Sequence, residues 1–396
     1  MDQDVLTVKI KKDDTLFELE NHNNTLHKQG KGIHMYISRN YDKRFFNTTR
    51  ISSLIATACN IDKNCVLTDW WDQSSSENIN SRLSSDLIGI TSACHVKWFE
   101  NSKHERLQVN VDEFIQSLAR KNQGLIDNSV EGQNFIFCAF DSVKDSRYFP
   151  RPEALPANNI SEFTEQFLKI KRDKIDRAFG LLGHQSQPAL FAQYDTYERE
   201  KSLAALIYEL YENTIQHGNK DENGDLIEGV RTLSIRRHVF NKSDELKRQS
   251  ENFSELTEYF SEIAKERENR NLLFYEISIM DNGIGIVNRF LSSRPEYGQD
   301  PTFSSFGDFE KLNYIITQSL SSKLFSGAGR GIKNALKNIM GLDGFVSLRT
   351  NDVWAYFNGR SRIAKVNPSF LQVRTKTRLE NIRGTIYSII IPVSPR

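Results

Sequence analysis

The sequence has almost no net charge, since its 396 residues hold 52 Lys and Arg against 51 Asp and Glu. Such a balance gives no global reason to expect nucleic acid or an anionic membrane as the main partner. The chain also lacks an apolar run of membrane-spanning length, and its first residues, MDQDVLTVKIKKDD, contain no apolar signal core. We therefore expect a cytoplasmic protein that does not enter a membrane.

Cysteine is scarce, and the few that occur show neither a CxxC pair nor a histidine at zinc-finger spacing. Reduced, mostly buried thiols are typical of a cytosolic protein with this pattern. We expect no metal or disulfide role for the four: Cys59, Cys65, Cys94 and Cys138.

Proline is also sparse, but three of the nine prolines fall within residues 150–156. A stretch so poor in backbone donors is a candidate domain boundary. The chain is long enough for two domains, and 38% hydrophobic residues can fill two cores. We therefore predict an N-terminal α/β domain over 1–155 and a second domain over 156–396.

The first of these domains has the pattern of a crossover unit. Residues 32–38 and 64–69 have the short apolar character of strands, and residues 51–58 between them are helix-like. This order predicts a parallel sheet. A further helix is predicted over 111–119 and a buried strand over 134–140. No catalytic motif stands out in this half, so its role is unknown.

In the second half, after a helix predicted over 161–179, one helix carries both an apolar and a polar face. Over residues 203–218, LAALIYELYENTIQHG, the leucines and isoleucine recur at helical spacing. Glu209, Asn213, Gln216 and His217 share a neighbouring face. That polar face is either a solvated surface or part of a site.

Glycine-rich segments downstream favour the site. They are Asp281-x-Gly283-x-Gly285, then Gly327-x-Gly329-x-Gly331 before an apolar helix, then Gly384-Thr385 opening a final apolar strand. No P-loop motif occurs, and Ile332 stands where a Rossmann fingerprint needs its third glycine. Backbone amides at a glycine-rich helix start suit phosphate groups.

These segments, taken in order with Glu209-x-x-x-Asn213, resemble the N, G1 and G2 boxes of the GHKL (Bergerat-fold) ATP-binding family. This family unites gyrase-type topoisomerases, the ninety-kilodalton heat-shock chaperones, histidine kinases and the mismatch-repair protein MutL. The resemblance covers roughly the last three-fifths of the chain. It implies an α/β sandwich in which helices cover a mixed sheet.

The resemblance also implies roles for individual residues. Asp281 is expected to accept a hydrogen bond from the adenine amino group, Asn213 to bind Mg²⁺, and Glu209 to orient or deprotonate the attacking water. The remaining nucleotide-binding residues are expected to be Gly283, Gly285, Gly327, Gly329, Arg330, Gly331 and Thr385. The implied cofactors are ATP and Mg²⁺.

Two segments of the second domain are expected to be additions to, or moving parts of, the nucleotide fold. The charged stretch near 243–270 has apolar residues at heptad-like spacing, which predicts a helical insertion. It either packs on its own domain or docks a partner. Residues 287–325 correspond to the ATP lid of the family, with a helix predicted over 309–325.

The expected function is that of a Mg-ATP-binding ATPase whose lid closure is coupled to its N-terminal domain, a partner protein or a second copy. A protein kinase acting in trans, similar to the anti-sigma-factor kinases or histidine kinases, is one alternative. The phosphoacceptor motif of a histidine kinase does not occur in the chain. A nucleotide-gated binding module with little turnover is the other alternative.

Overall fold

The structure is a computed structural model. It describes residues 5–28, 32–38, 44–68, 83, 87–101, 103–107, 109–110, 114, 134–141, 197–218, 220–225, 227, 229–240, 243–250, 253–266, 272–320, 329–374 and 379–393. The described part is an α/β protein with two sheets, as predicted. None of its helices has both the length and the hydrophobicity needed to cross a bilayer.

The N-terminal unit alternates strands and helices. Its elements are β1 Leu6–Ile10, α1 Leu16–Lys28, β2 Ile33–Ile37, α2 Asn47–Ile61, β3 Val66–Thr68, α3 Leu87–His95, β4 Trp98–Glu100 and β5 Arg106–Leu107.

These strands form a five-stranded sheet in the order β1-β2-β3-β4-β5. The first four are parallel, and β5 pairs antiparallel with β4. The predicted crossover unit is therefore confirmed, with β2, α2 and β3 as its parts. The helices predicted over 111–119 and 161–179, and the boundary near residue 155, lie outside the described residues, apart from Phe114.

The second sheet and its helices follow in the chain. The elements are β6 Asn134–Asp141, α4 Tyr197–His217, β7 Gly229–Phe240, α5 Ser243–Gln249, α6 Ser254–Glu266, β8 Leu272–Asp281, α7 Ile286–Ser293, α8 Pro295–Gln299, α9 Pro301–Ser305, α10 Asp308–Thr317, α11 Gly331–Gly341, β9 Phe345–Thr350, β10 Val353–Asn358, α12 Arg362–Val366, β11 Gln372–Val373 and β12 Thr385–Val393.

Seven strands form this second sheet in the order β11-β10-β9-β12-β8-β7-β6. All its described pairings are antiparallel, so the mixed sheet expected here is instead the N-terminal one. Strand β6 is present as predicted, but it pairs along its whole length with β7. It therefore belongs to the second sheet although it precedes the expected boundary, because β7 would otherwise be an unpaired edge.

The seven-stranded sheet is covered on both faces. All ten residues of β8 are buried. Ile277 and Ile279 lie in the core formed with α4 and α11, whereas Phe274 lies in a core shared with the N-terminal unit. Since side chains alternate along a strand, one face of the sheet packs on α4 and α11 and the other on the N-terminal helices.

The predicted helical insertion consists of the two helices α5 and α6. Phe260 from this segment packs with Phe45 of the N-terminal unit and Phe274 of the sheet, and Phe253 packs with Phe46. The insertion therefore packs within its own molecule. The predicted lid contains four short helices, α7 to α10, and the helix predicted over 309–325 is present as the shorter α10, which ends at Thr317.

Polar contacts also join the N-terminal unit to the sheet. The Phe46 backbone N–H donates to Glu276 Oε1 at 2.7 Å, while within the sheet His238 Nε2 of β7 lies 2.8 Å from Glu276 Oε2. Thr49 Oγ1 donates to Ser278 Oγ at 2.8 Å. This interface is thus buried, hydrogen-bonded and continuous with the core.

Candidate functional site

A cavity of about 370 Å³ lies between α4, the start of α11, the turn after β8 and the start of β12. This volume lies within the usual range for ligand pockets. The predicted site residues that line it are Glu209, Asn213, Asp281, Gly285, Gly329, Arg330, Gly331 and Thr385. Of the other two, Gly283 donates its N–H to Asp281, and Gly327 lies outside the described residues.

Helix α4 presents Glu209 and Asn213 to the cavity because its apolar stripe is buried against the sheet. Both side chains approach the backbone where α11 begins. A Cβ on Gly331 would lie 3.0 Å from Glu209 Oε2 and 3.3 Å from Asn213 Nδ2. Glycine at this position therefore lets two cavity side chains approach the helix terminus closely.

Glu209 is a half-buried carboxylate held by a weak hydrogen bond. Asn334 Nδ2 lies 3.4 Å from Glu209 Oε1, a long hydrogen bond. Burial raises the pKa of Glu209, and the nearby Glu212 raises it further, while Asn334 opposes the shift. A carboxylate with a raised pKa is a better proton acceptor near neutral pH.

Asn213 carries an unsatisfied polar atom into the same region. Its Nδ2 is buried and has no hydrogen-bond partner. A buried polar atom of this kind costs free energy unless a ligand or a rearranged neighbour completes it. The Asn213 carboxamide is therefore a candidate ligand-binding group.

Asp281 ends β8 and is 5% exposed. Its Oδ1 accepts the Gly283 N–H at 3.0 Å and the Thr385 N–H at 3.2 Å. These bonds fix the carboxylate between the turn after β8 and the first residue of β12. Because an ionised carboxylate only accepts hydrogen bonds, this wall of the cavity selects a donor.

The opposite end of the cavity suits an anion. Helix α11 has eleven residues, and the first amides of a helix have no partner within it. Gly329, just before this helix, has φ +96°, and a Cβ there would lie 2.1 Å from the Ser319 carbonyl oxygen. Only glycine fits this backbone, which brings Arg330 and Gly331 to the cavity.

Sequence reasoning missed several lining residues. Arg289 lines the cavity on α7, and its Nε is buried without a hydrogen-bond partner. Arg289 lies one helical turn after Gly285, and this spacing was the sequence signal that could have identified it. Helical spacing could have identified two more: Asn334 lies three residues after Gly331 on α11, and Glu212 lies three residues after Glu209 on α4. The other missed lining residues include Tyr208, Phe290 and Tyr387.

The described residues contain no cluster of three or more His, Cys, Asp or Glu side chains arranged to hold a metal. Cys59 and Cys65 are buried free thiols, and Cys94 is a partly buried one. No protein-family model, curated protein or solved structure matches this chain. The chemistry of the cavity is therefore the basis for assigning a function.

Proposed function

We propose that this chain is an ATPase of the GHKL type that binds Mg-ATP in the cavity and hydrolyses it. The observation that carries the proposal is that one cavity is lined by residues from all four sequence segments of the resemblance. Those segments are spread from Glu209 to Thr385. Chance would not be expected to bring a carboxylate, a carboxamide, a helix N-terminus and a donor-selecting aspartate together.

Asp281 is the proposed adenine-binding residue. Adenine presents an amino donor where guanine presents a carbonyl acceptor, so an acceptor-only carboxylate favours adenine. The two backbone N–H donors on Oδ1 hold the carboxylate in place for this contact. ATP is thus preferred over GTP.

The phosphates are proposed to lie at the N-terminus of α11, where Arg330 and the backbone from Gly329 to Gly331 line the cavity. The Asn213 carboxamide fits Mg²⁺ because a rotation of the group presents its oxygen, the kind of ligand that the ion prefers. The buried Asn213 Nδ2 has no hydrogen bond that this rotation would break. When bound, Mg²⁺ neutralises charge on the phosphate oxygens.

Glu209 is the proposed general base. It takes a proton from the attacking water as the new O–P bond forms and the bond between the γ-phosphorus and the ADP oxygen breaks. Its raised pKa favours this role. Its position beside Gly331 and Asn213, the proposed phosphate-binding and metal-binding residues, supports this role.

The deciding experiment combines ATP affinity by calorimetry with release of labelled γ-phosphate. Asp281→Asn should lose about tenfold to a hundredfold in ATP affinity, because a charge-assisted hydrogen bond is worth about 1.5–3 kcal/mol. Asp343→Asn is the matched control, since Asp343 lies outside the cavity with a half-exposed side chain. It should bind ATP as the unmodified chain does.

Equal ATP affinity in Asp281→Asn and the unmodified chain would remove the adenine assignment. The fate of the label tests the reaction. Free phosphate supports hydrolysis, label on a protein side chain indicates a kinase, and bound ATP with neither outcome indicates a nucleotide-gated module.

A further inference from the structure

The helix α1 of the N-terminal unit reaches the second sheet through a buried ion pair. Glu20, with its side chain 6% exposed, accepts from Arg349 Nε at 3.1 Å and from Arg349 Nη2 at 3.2 Å. Arg50 Nη1 lies 3.1 Å from the same carboxylate. Burial alone would raise the pKa of Glu20, but the two guanidinium groups outweigh it and hold the pKa low.

Arg349 carries this link onward to the turn between β9 and β10. Its Nη1 donates to the Asn351 carbonyl oxygen, and its Nη2 donates to the Glu380 carbonyl oxygen at 2.6 Å. Asn23 of α1 donates to that same Glu380 carbonyl at 3.2 Å. One helix of the N-terminal unit is therefore linked to two loop segments that adjoin the second sheet, the β9–β10 turn and the chain before β12.

Asn351 in turn holds the backbone that follows Asp281. Its Nδ2 donates to the Ile284 carbonyl at 2.9 Å, and its Oδ1 accepts the Val287 N–H at 3.2 Å. Asn351 has φ +50° and is 1% exposed. Gly285 packs directly on it, since a Cβ there would lie 2.5 Å from Asn351 Oδ1. Gly285 itself lines the cavity.

We propose that Glu20 and Asn351 are positioning residues of the nucleotide site. Glu20 orients Arg349, Arg349 fixes the turn at Asn351, and Asn351 clamps the 284–287 backbone in the shape that the cavity needs. The inference rests on the proposed ATP binding and deepens it, because it makes the N-terminal unit a support for the backbone of the adenine-side wall. Neither residue contacts the cavity.

The test measures Mg-ATP affinity, GTP affinity and thermal stability for two variants. Asn351→Gly keeps the positive φ, which glycine adopts freely, but removes both side-chain hydrogen bonds. Glu20→Gln keeps the shape of the side chain but removes its charge. Both should lower ATP affinity roughly threefold to tenfold, the loss expected for a hydrogen bond. They should also narrow the preference for ATP over GTP, because the loosened turn no longer fixes Asp281.

Glu276→Gln is the matched control. Glu276 is another buried carboxylate at the interface with the N-terminal unit: it accepts the Phe46 N–H of that unit and contacts His238 and Arg236 of β7 in the sheet. None of these partners lines the cavity. This variant should lose thermal stability as Glu20→Gln does, while its ATP affinity and ATP preference stay unchanged.

A double-mutant cycle separates positioning from general destabilisation. If Glu20 acts through Asn351, most of the affinity effect of Glu20→Gln should disappear in the Asn351→Gly background. Additive effects would overturn the proposed path. Wild-type affinity in both single variants would overturn the positioning role while leaving ATP binding intact. If the unmodified chain bound no ATP, the proposed function and this inference would both fail.

Discussion

Buried carboxylates on the two faces of the seven-stranded sheet have pKa values shifted in opposite directions. On the face toward the N-terminal unit, Glu20 and Glu276 are deeply buried, yet cationic and hydrogen-bonding partners hold their pKa values low. On the cavity face, Glu209 is less buried, but burial and the nearby Glu212 raise its pKa, and the long hydrogen bond from Asn334 only partly opposes them. Burial alone would raise all three.

This difference separates carboxylates that hold the structure together from one suited to chemistry. The interface carboxylates are charged and bound by cations or backbone donors. They therefore hold the two units together in a fixed arrangement. Glu209 has one long hydrogen bond and lies beside an unsatisfied carboxamide. A group left under-supported in a cavity is a candidate for binding or catalysis.

The largest effect that tests this comparison is expected from Glu209→Ala. If Glu209 is a general base, this variant should retain ATP affinity and lose about 10²- to 10⁴-fold in the rate of phosphate release. Parallel calorimetry and phosphate release measure the two properties. Glu198→Ala, an exposed position on the same helix, is the control and should change neither. An unchanged release rate in Glu209→Ala would remove its catalytic role.

On the face toward the N-terminal unit, substituting a buried carboxylate should instead lower the free energy of unfolding. Glu276→Ala leaves the Phe46 N–H without its acceptor and the Arg236 guanidinium without its ion-pair partner, and breaking a buried pair typically costs about 3–5 kcal/mol. Glu262→Ala removes a surface carboxylate that also pairs with an arginine, and it should cost about 0–1 kcal/mol. Chemical denaturation of both variants measures the difference. Equal losses would contradict the contrast between the interface and the surface.

Much of the cavity was predictable because its residues lie on strict local patterns. Glu209 and Asn213 are four residues apart on a helix, and the glycines mark turns that only a bare backbone can form. Arg289 was not predicted, although it lies in the cavity, because its register on α7 depends on where that helix begins. Local spacing therefore predicts the polar residues of a site better than it predicts the walls supplied by the lid.

The docking of the N-terminal unit was not predictable from the same patterns. In β8, Glu276 and Ser278 alternate with buried isoleucines, which is the pattern of a strand with one solvent face. Both side chains are instead buried under α2. The strand β6 likewise precedes the prolines that suggested a boundary, yet it pairs with β7. Such long-range pairing leaves no local signal.

A third effect concerns the unsatisfied carboxamide on the cavity face. Asn213→Ala should remove the advantage that Mg²⁺ gives to ATP binding, at a cost of about 1.5–3 kcal/mol, the typical value for a contact with a charged group. ATP affinity measured with Mg²⁺ and with a chelator tests this. Asn288→Ala, an exposed position on α7, should keep the dependence on Mg²⁺. Retention of that dependence in Asn213→Ala would show that Asn213 does not hold the ion.

The smallest effect is expected at His95, the last residue of α3 in the N-terminal unit. Its Nε2 is buried, and burial lowers its pKa from the ordinary 6.5 to about 4, with Asn282 opposing the shift and Lys63 and Arg383 adding to it. Between pH 4 and pH 6.5, the unfolded chain therefore binds a proton at His95 that the folded chain does not bind. This contribution to stability is fully present above pH 6.5 and is lost as the pH falls toward 4. It should amount to about 2 kcal/mol between pH 7 and pH 5. Urea denaturation of the unmodified chain and of His95→Gln at both pH values measures it. The variant should lose less stability on acidification, because glutamine does not titrate, whereas equal losses in both chains would show that His95 is protonated as easily in the folded protein as in the unfolded one.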